Sequence, residues 1–317
     1  MSATATHHAD REPGLTRVDL AELVALRVRA GKPMAHAAKL RTPPAGGHVS
    51  VLRGRGMDYA ESRIYQPGDD SRNIDWRRTA RSGKWHTKLF QAEREHSLLV
   101  LVDTNPTMQF GTRTRFKSVA AARAAAWLAW TCVRGGDRVG ALAFGHQRAA
   151  VDPQPGTRGA LAVLGALARW DEPASPVREG GGETLSAALL RVRRMITSGS
   201  QLWLLSDGWC SDDSAAPALA RLKRHADVRV VIVSDALEHA PAPAGDYVFE
   251  TRAGRRHVDL SPPNARAELR NLLAHGFRAL ARACDDAAVP WVRLTTSDEP
   301  DVVLAPLTRR RALEHRR

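Results

Sequence analysis

The sequence predicts an α/β fold built on a mostly parallel sheet, and three observations predict it. Beyond residue 98, short apolar runs alternate with longer amphipathic stretches of helical period, which is the pattern of βαβ units. The runs at 98–102, 201–205 and 228–233 lack the polar alternation of a half-exposed strand, so they read as strands covered on both faces. With 317 residues, 43% of them hydrophobic, the chain is long enough to bury a core of that kind.

The elements follow in order. Residues 18–30 place Leu20, Leu23, Val24, Leu26 and Val28 at partly helical spacing, with Asp19 and Glu22 in the first turn, and predict a short docking helix. Pro33, Pro43, Pro44, Gly46 and Gly47 then mark irregular chain, followed by Gly54 and Gly56 around Arg53 and Arg55. From Met57 onward, Tyr59 and Ile64-Tyr65 predict a strand, Pro67-Gly68-Asp69-Asp70 a tight turn, residues 74–81 a short helix, and Trp85, Thr87, Leu89 and Phe90 a second strand. The strand at 98–102 leads to an Ala-rich helix at 116–133 that carries Trp127, Leu128 and Trp130 as packing bulk and stops at Gly135-Gly136. A strand at 138–144, helices at 161–170 and 185–196, and strands at 201–205 and 228–233 come next. Residues 247–250 and 257–260 read as a hairpin, 265–285 as one helix, 291–294 as a strand and 304–313 as a terminal helix. The chain therefore divides into an N-terminal helix and linker (1–53), a strand-rich element (54–97) and an α/β domain (98–317).

Composition narrows the function classes. The formal charge is +13, from 47 basic and 34 acidic side chains, which raises nucleic-acid binding as an alternative. The arginines are scattered and interleaved with Asp and Glu, however, as on the solvated surface of any Arg-rich protein. Three widely spaced cysteines, Cys132, Cys210 and Cys284, form neither a disulfide framework nor a paired zinc motif, which points to a reducing compartment. The polar start of the chain argues against a secretory signal, and no apolar run approaches the roughly 20 residues of a membrane helix. A soluble, cytoplasmic protein is the expectation.

The candidate site begins where the strand at 98–102 stops at Asp103-Thr104-Asn105-Pro106-Thr107. In open parallel sheets ligands bind beyond the carboxyl ends of the strands. Asp103, Asn105 and Thr107 alternate, so their oxygens can converge, and hard oxygens suit Mg²⁺ better than zinc. The same residue types also make an ordinary turn. Two distant positions add weight. Thr184 follows Gly180-Gly181-Gly182-Glu183 at a loop-to-helix junction, and Asp207 ends the strand at 201–205 as Asp103 ends its own. If those two strands are neighbours across the topological switch, all five residues share one crevice. Each has a structural alternative, an N-cap for Thr184 and an Asp-Gly turn for Asp207.

These residues resemble the metal-ion-dependent adhesion site of von Willebrand factor A domains, whose pattern is Asp, Ser and Ser in alternate positions followed by a distant Thr and Asp. A longer stretch is more specific. Arg63-Ile64-Tyr65-Gln66-Pro67-Gly68-Asp69-Asp70-Ser71-Arg72-Asn73-Ile74-Asp75-Trp76, followed by Thr79-Ala80-Arg81, resembles the signature of the bacterial domain of unknown function 58. Glu93-Arg94-Glu95 and Gly136-Asp137-Arg138-Val139-Gly140 agree with it, and the resemblance spans about 54–307.

The resemblance implies a Rossmann-like von Willebrand factor A domain, with helices on both faces of the sheet, after a small strand-rich element. It also implies a non-enzymatic protein-interaction module that works with a MoxR-type AAA+ ATPase on an unknown client protein. Asn105 and Thr107 stand where the pattern has Ser, and both are neutral oxygen donors able to coordinate Mg²⁺. In that arrangement they bind the ion directly with Thr184, Asp103 and Asp207 hold ordered waters, and one position stays open for a partner's carboxylate.

The Asp69, Asp70 and Asp75 cluster offers a rival reading as hydrolase carboxylates. Interleaved Arg72, Arg77 and Arg81 are expected to neutralise these acids, and Trp76 to act as a packing anchor, so Arg63, Tyr65, Pro67, Gly68, Asp69, Asp70, Arg72, Asp75, Trp76 and Arg81 read as a structural or interface signature. Neither a Gly-x-Ser-x-Gly elbow nor a phosphate-binding Gly-x-x-x-x-Gly-Lys-Ser/Thr loop occurs.

Overall fold

The computed structural model describes residues 12–31, 57–67, 69, 71–92, 96–171, 182–197, 199–240, 242–251 and 254–309. The chain forms two compact units: one joins the N-terminal residues to everything from His96 onward, and the other lies between them in sequence.

The chain opens with α1 (Leu20–Ala25), shorter than its apolar spacing predicts because the last turn tightens into a 3₁₀ turn at Leu26–Arg29. The smaller unit follows with β1 (Met57–Ile64), α2 (Trp76–Ser82) and β2 (His86–Ala92). β1 and β2 pair antiparallel, from Met57↔Ala92 to Ile64↔His86. Ile74 bridges to Thr87, and both are buried.

The larger unit continues with β3 (Ser97–Asp103), α3 (Lys117–Arg134), β4 (Arg138–Phe144), β5 (Ala149–Pro155) and α4 (Gly156–Trp170). Then come α5 (Leu185–Val192), β6 (Gln201–Ser206), α6 (Ala215–Lys223), β7 (Asp227–Ser234) and the single turn α7 (Ala236–His239). A hairpin of β8 (Asp246–Thr251) and β9 (Gly254–Asp259) precedes α8 (Pro263–Leu273), α9 (His275–Asp286), β10 (Trp291–Thr295) and α10 (Pro300–Arg309).

Six of these strands form one sheet in the order β10-β7-β6-β3-β4-β5. All pairs are parallel except β4 with the edge strand β5. The order is that of a doubly wound α/β sheet, with β3 and β6 flanking the switch point. Every residue of β3 is buried, and its side chains alternate between two cores. Leu98, Val100 and Val102 pack with α1, α3, α4 and α10 on one face, while Leu99 and Leu101 pack with α5, α6 and α9 on the other. The predicted fold class is the one observed: a mixed α/β unit with helices on both faces of its sheet, and a separate small strand-rich unit.

Besides the shorter α1 and the added turn α7, three larger differences from the sequence reading stand out. β5 has no counterpart in the sequence reading: Pro153 and Pro155 interrupt its apolar residues, and prolines are tolerated at a sheet edge, where N–H groups can go unpaired. α6 was also missed, with Pro217 near its start. The single helix expected at 265–285 is two, α8 and α9, joined at Ala274, so that Gly276 can sit against the loop after β6.

The N-terminal segment is held by α3. The indoles of Trp127 and Trp130 donate to the Arg29 and Leu23 carbonyls at 2.9 and 3.0 Å, and Arg134 donates to Ala30 O at 2.6 Å. Phe116 N also donates to Leu15 O, and Val18 N to Asp171 Oδ2, both at 2.8 Å. This is the docking role predicted for the first helix. Among the described residues no helix is long and apolar enough to cross a membrane.

Candidate functional site

β3 and β6 run parallel in register from Leu98↔Gln201 to Val102↔Leu205, so Asp103 and Asp207 emerge side by side at the switch point. They are 2% and 1% exposed. The loop after β3 is pinned at two places. Near its start, Thr104 donates through N and Oγ1 to Phe144 O at 2.9 and 2.7 Å. Further along, Thr112 donates through N and Oγ1 to Asp235 at the end of β7. Asp235 also accepts from Leu237 N and Thr296 Oγ1, and these bonds hold its carboxyl below the ordinary value although burial works against its charge.

Both oxygens of Asp103 are occupied. Oδ1 accepts from Asn105 N and Nδ2 at 2.9 and 2.8 Å; Oδ2 accepts from Ser206 Oγ at 2.6 Å and Cys210 Sγ at 3.3 Å. Burial and the neighbouring Asp207 charge lift the Asp103 carboxyl to about 6 despite these bonds. Burial also pushes the Cys210 thiol well up, so its S–H serves as a donor.

Asp207 opens a tight turn in which its Oδ1 accepts from Trp209 N at 3.1 Å. The next residue must be glycine. Gly208 has φ +85°, and a Cβ there would fall 2.2 Å from Gly276 O. The second oxygen, Oδ2, accepts from Lys117 Nζ at 2.8 Å. Lys117 is 1% exposed, and its ammonium also donates to Glu238 Oε1 at 2.8 Å and lies 5.6 Å from the Phe110 ring centre. Burial opposes the ammonium, but Asp207 and Glu238 outweigh it and hold its pKa above the ordinary lysine value. Burial lifts Glu238 to about 7 against the pull of Lys117, with Asp207 and Asp235 adding to the rise. Two carboxyls thus share one ammonium.

The five predicted residues come to one end of the sheet but play different parts. Asn105 gives its amide hydrogen to Asp103, and its carboxamide is wedged between glycines: a Cβ on Gly145 would fall 2.4 Å from its Nδ2, and one on Gly182 2.7 Å from its Oδ1. Thr107 Oγ1 is buried with no hydrogen-bond partner. Thr184 is exposed and caps α5, its Oγ1 accepting from Ala187 N at 3.4 Å. Its loop is held by Glu183 N to Gly145 O and Leu185 N to Cys210 O, while Gly180 and Gly181 lie outside the described residues. Asn105, Thr107 and Thr184 line a cleft of about 640 Å³ with Pro106, Phe110, Lys117, Trp209, Glu238 and Leu273.

This donor set does not fit the expected Mg²⁺. A hard divalent ion takes about six oxygens. Here Asp103 is saturated by protein donors, one oxygen of Asp207 faces an ammonium, and Thr184 serves its own helix. Lys117 and Glu238 are the functional residues that sequence reading passed over. The signal was a lysine opening a helix with no acid in its first turn, where the helix dipole disfavours a cation unless buried carboxylates face it.

In the smaller unit Asp69 pairs with Arg63 at 2.6 Å and accepts from Gln66 N, so Arg63 supplies a neutralising role expected of Arg72, Arg77 or Arg81. Asp75 caps α2 through Arg78 N at 3.1 Å and accepts from Ser62 Oγ at 2.6 Å. Those two bonds hold its carboxyl below the usual value, which does not suit a general acid. Trp76 is no packing anchor: it is 64% exposed, its ring 6.1 Å from Trp85, which lies 6.1 Å from Tyr65. Pro67 and Arg81 are exposed and Arg72 sits in the 3₁₀ turn Ser71–Asn73; Gly68 and Asp70, with Glu93-Arg94-Glu95, lie outside the described residues.

Residues 61–276, more than half of the chain, match the family described as Protein of unknown function DUF58. The chain belongs to that family. An uncharacterized protein of Mycobacterium tuberculosis is 30% identical to this DUF58 protein over 270 residues, 84% of each chain. Among solved structures, BatB from Bacteroides thetaiotaomicron is similar at 17% identity and a TM-score of 0.42, covering 67% of this chain and 95% of BatB. A von Willebrand factor type A protein from Catenulispora acidiphila is similar at 14% identity and a TM-score of 0.37, covering 72% of this chain and 44% of that one.

Proposed function

We propose that this DUF58 protein is a non-enzymatic, cytoplasmic interaction module whose cleft at the carboxyl ends of β3 and β6 receives a MoxR-type AAA+ ATPase engaged in remodelling a client protein. The observation that carries the reading is the division of labour in the cleft. Its walls offer Pro106, Phe110, Trp209 and Leu273 for contact. The two aspartates beneath are engaged by the chain's own donors: Asp103 by Ser206, Cys210 and Asn105, and Asp207 by Lys117 and Trp209. Trp209 is 37% exposed, and Leu272 on α8 is 60% exposed. Large, partly exposed aromatics of this kind anchor protein interfaces. The family resemblance supplies the partner. The donor set gives no reason to include a bridging cation.

The test is binding of the purified protein to a MoxR-type ATPase from the same organism, measured by biolayer interferometry with and without nucleotide. Binding is expected to weaken about thirty-fold in Trp209→Ala, the loss of an interface anchor worth about 2 kcal/mol. Absence of binding at about 100 μM in every nucleotide state refutes the partnership.

A further inference from the structure

We propose that the Lys117 ammonium takes the place of a divalent cation at the switch point, giving the cleft a permanent internal charge and making its interactions independent of metal. The proposal deepens the interaction reading and rests on it only for the cleft's use by a partner.

The position of Lys117 carries the argument. It is the first residue of α3, immediately after the loop that holds Asp103, Asn105 and Thr107. A lysine so placed meets the positive end of the helix dipole, and lysine is among the residues least often fully buried. Only a compensating negative charge makes that burial tenable, and Asp207 and Glu238 supply it at 2.8 Å each. Asp207 is one of the two acids that the adhesion-site pattern assigns to a metal sphere. One of its two oxygens already holds a cation that belongs to the chain, and the other accepts from Trp209 N.

The surrounding groups have adapted to that cation. Asn105 turns its amide N–H onto Asp103, which spends an oxygen of the second acid on a donor of the chain itself. Glu238, which the pattern does not contain, completes the ammonium's second ion pair. A chelator cannot remove a covalently attached ammonium, and an ammonium cannot share a coordination position with a partner's carboxylate. Since carboxyls outnumber Lys117 here, the complementary partner group is neutral or basic.

The test uses Mn²⁺ as the probe, titrated into the full chain and followed by the paramagnetic resonance of the free ion. The wild-type protein is expected to bind no Mn²⁺ below about 1 mM. Lys117→Ala, which leaves Asp207 and Glu238 facing a vacated volume, is expected to gain binding about ten-fold tighter or better, and its melting temperature, unlike the wild type's, rises with Mg²⁺. Wild-type binding of Mn²⁺ that disappears in Asp207→Asn overturns the proposal, as does a folded Lys117→Ala that binds no more than wild type. If Lys117→Ala does not fold, the wild-type titration decides alone. Neither arm contains the ATPase, so failure of the partnership and failure of this proposal are read separately.

Discussion

Replacing Lys117 by methionine keeps most of the side-chain volume and removes the charge. The cost can be worked from its surroundings. Asp207 and Glu238, 1% and 3% exposed, lose their shared counter-ion and cannot recover it from water. Breaking a buried ion pair from one side costs about 3–5 kcal/mol. For a domain of this size that is a fall of roughly 6–20 °C in melting temperature. The loss is expected to depend on pH with a definite sign. In the wild type, the Glu238 carboxyl already stands at about 7 and that of Asp103 at about 6, both above their ordinary values. A carboxyl raised in the folded state favours folding fully below its unfolded pKa, and that contribution fades as pH rises through the folded value. Without Lys117 the Glu238 carboxyl loses the charge that pulls it down and rises further, so the variant is weakest at alkaline pH and recovers as pH falls toward 5. Urea denaturation at pH 5, 7 and 8.5 measures this directly. Adding Asp207→Asn and Glu238→Gln to Lys117→Met is expected to restore most of the stability at pH 8.5. A loss under about 1 kcal/mol at every pH, or no recovery in the triple variant, refutes the view that the ammonium seals buried charge.

Two further outcomes are expected. Gly208→Ala forces a Cβ at φ +85° to within 2.2 Å of Gly276 O, and is expected to cost about 3 kcal/mol in thermal unfolding, far more than an Ala at an ordinary surface glycine. Trp76→Ala, by contrast, removes a ring that is 64% exposed and is expected to change stability by less than about 1 kcal/mol; a larger loss in the same melt would restore Trp76 as a packing anchor.

The strand ends were the most readable part of the chain. The unbroken apolar run at 98–102, and that at 228–233 interrupted by Arg229 alone, could only be satisfied by cover on both faces, and the acids that follow them fixed where the sheet's carboxyl edge lies. β5 escaped because an edge strand needs no continuous apolar run and tolerates Pro153 and Pro155. The split between α8 and α9 escaped because helical period continues through Ala274; the break is set by packing of Gly276 on Gly208, a contact between residues 68 positions apart. In the site, residue types identified where Asp103, Asn105, Thr107, Thr184 and Asp207 would gather, but not what each would bond. Whether Asn105 presents its oxygen or its N–H depends on Gly145 and Gly182 closing around it, and whether Asp207 faces water or a charge depends on Lys117 and Glu238, which are distant in sequence.

The hold of α3 on the N-terminal segment bears on where this protein can be cut. The family match begins at residue 61, yet Trp127 and Trp130 at the centre of α3 spend their indole hydrogens on Arg29 and Leu23. A chain trimmed to the family's limits would uncover two large aromatic rings and strand their N–H groups. Evolutionary recurrence and physical self-sufficiency mark different borders here: the recurring sequence is a piece of a body whose lid is written some thirty residues earlier, on the far side of the smaller unit.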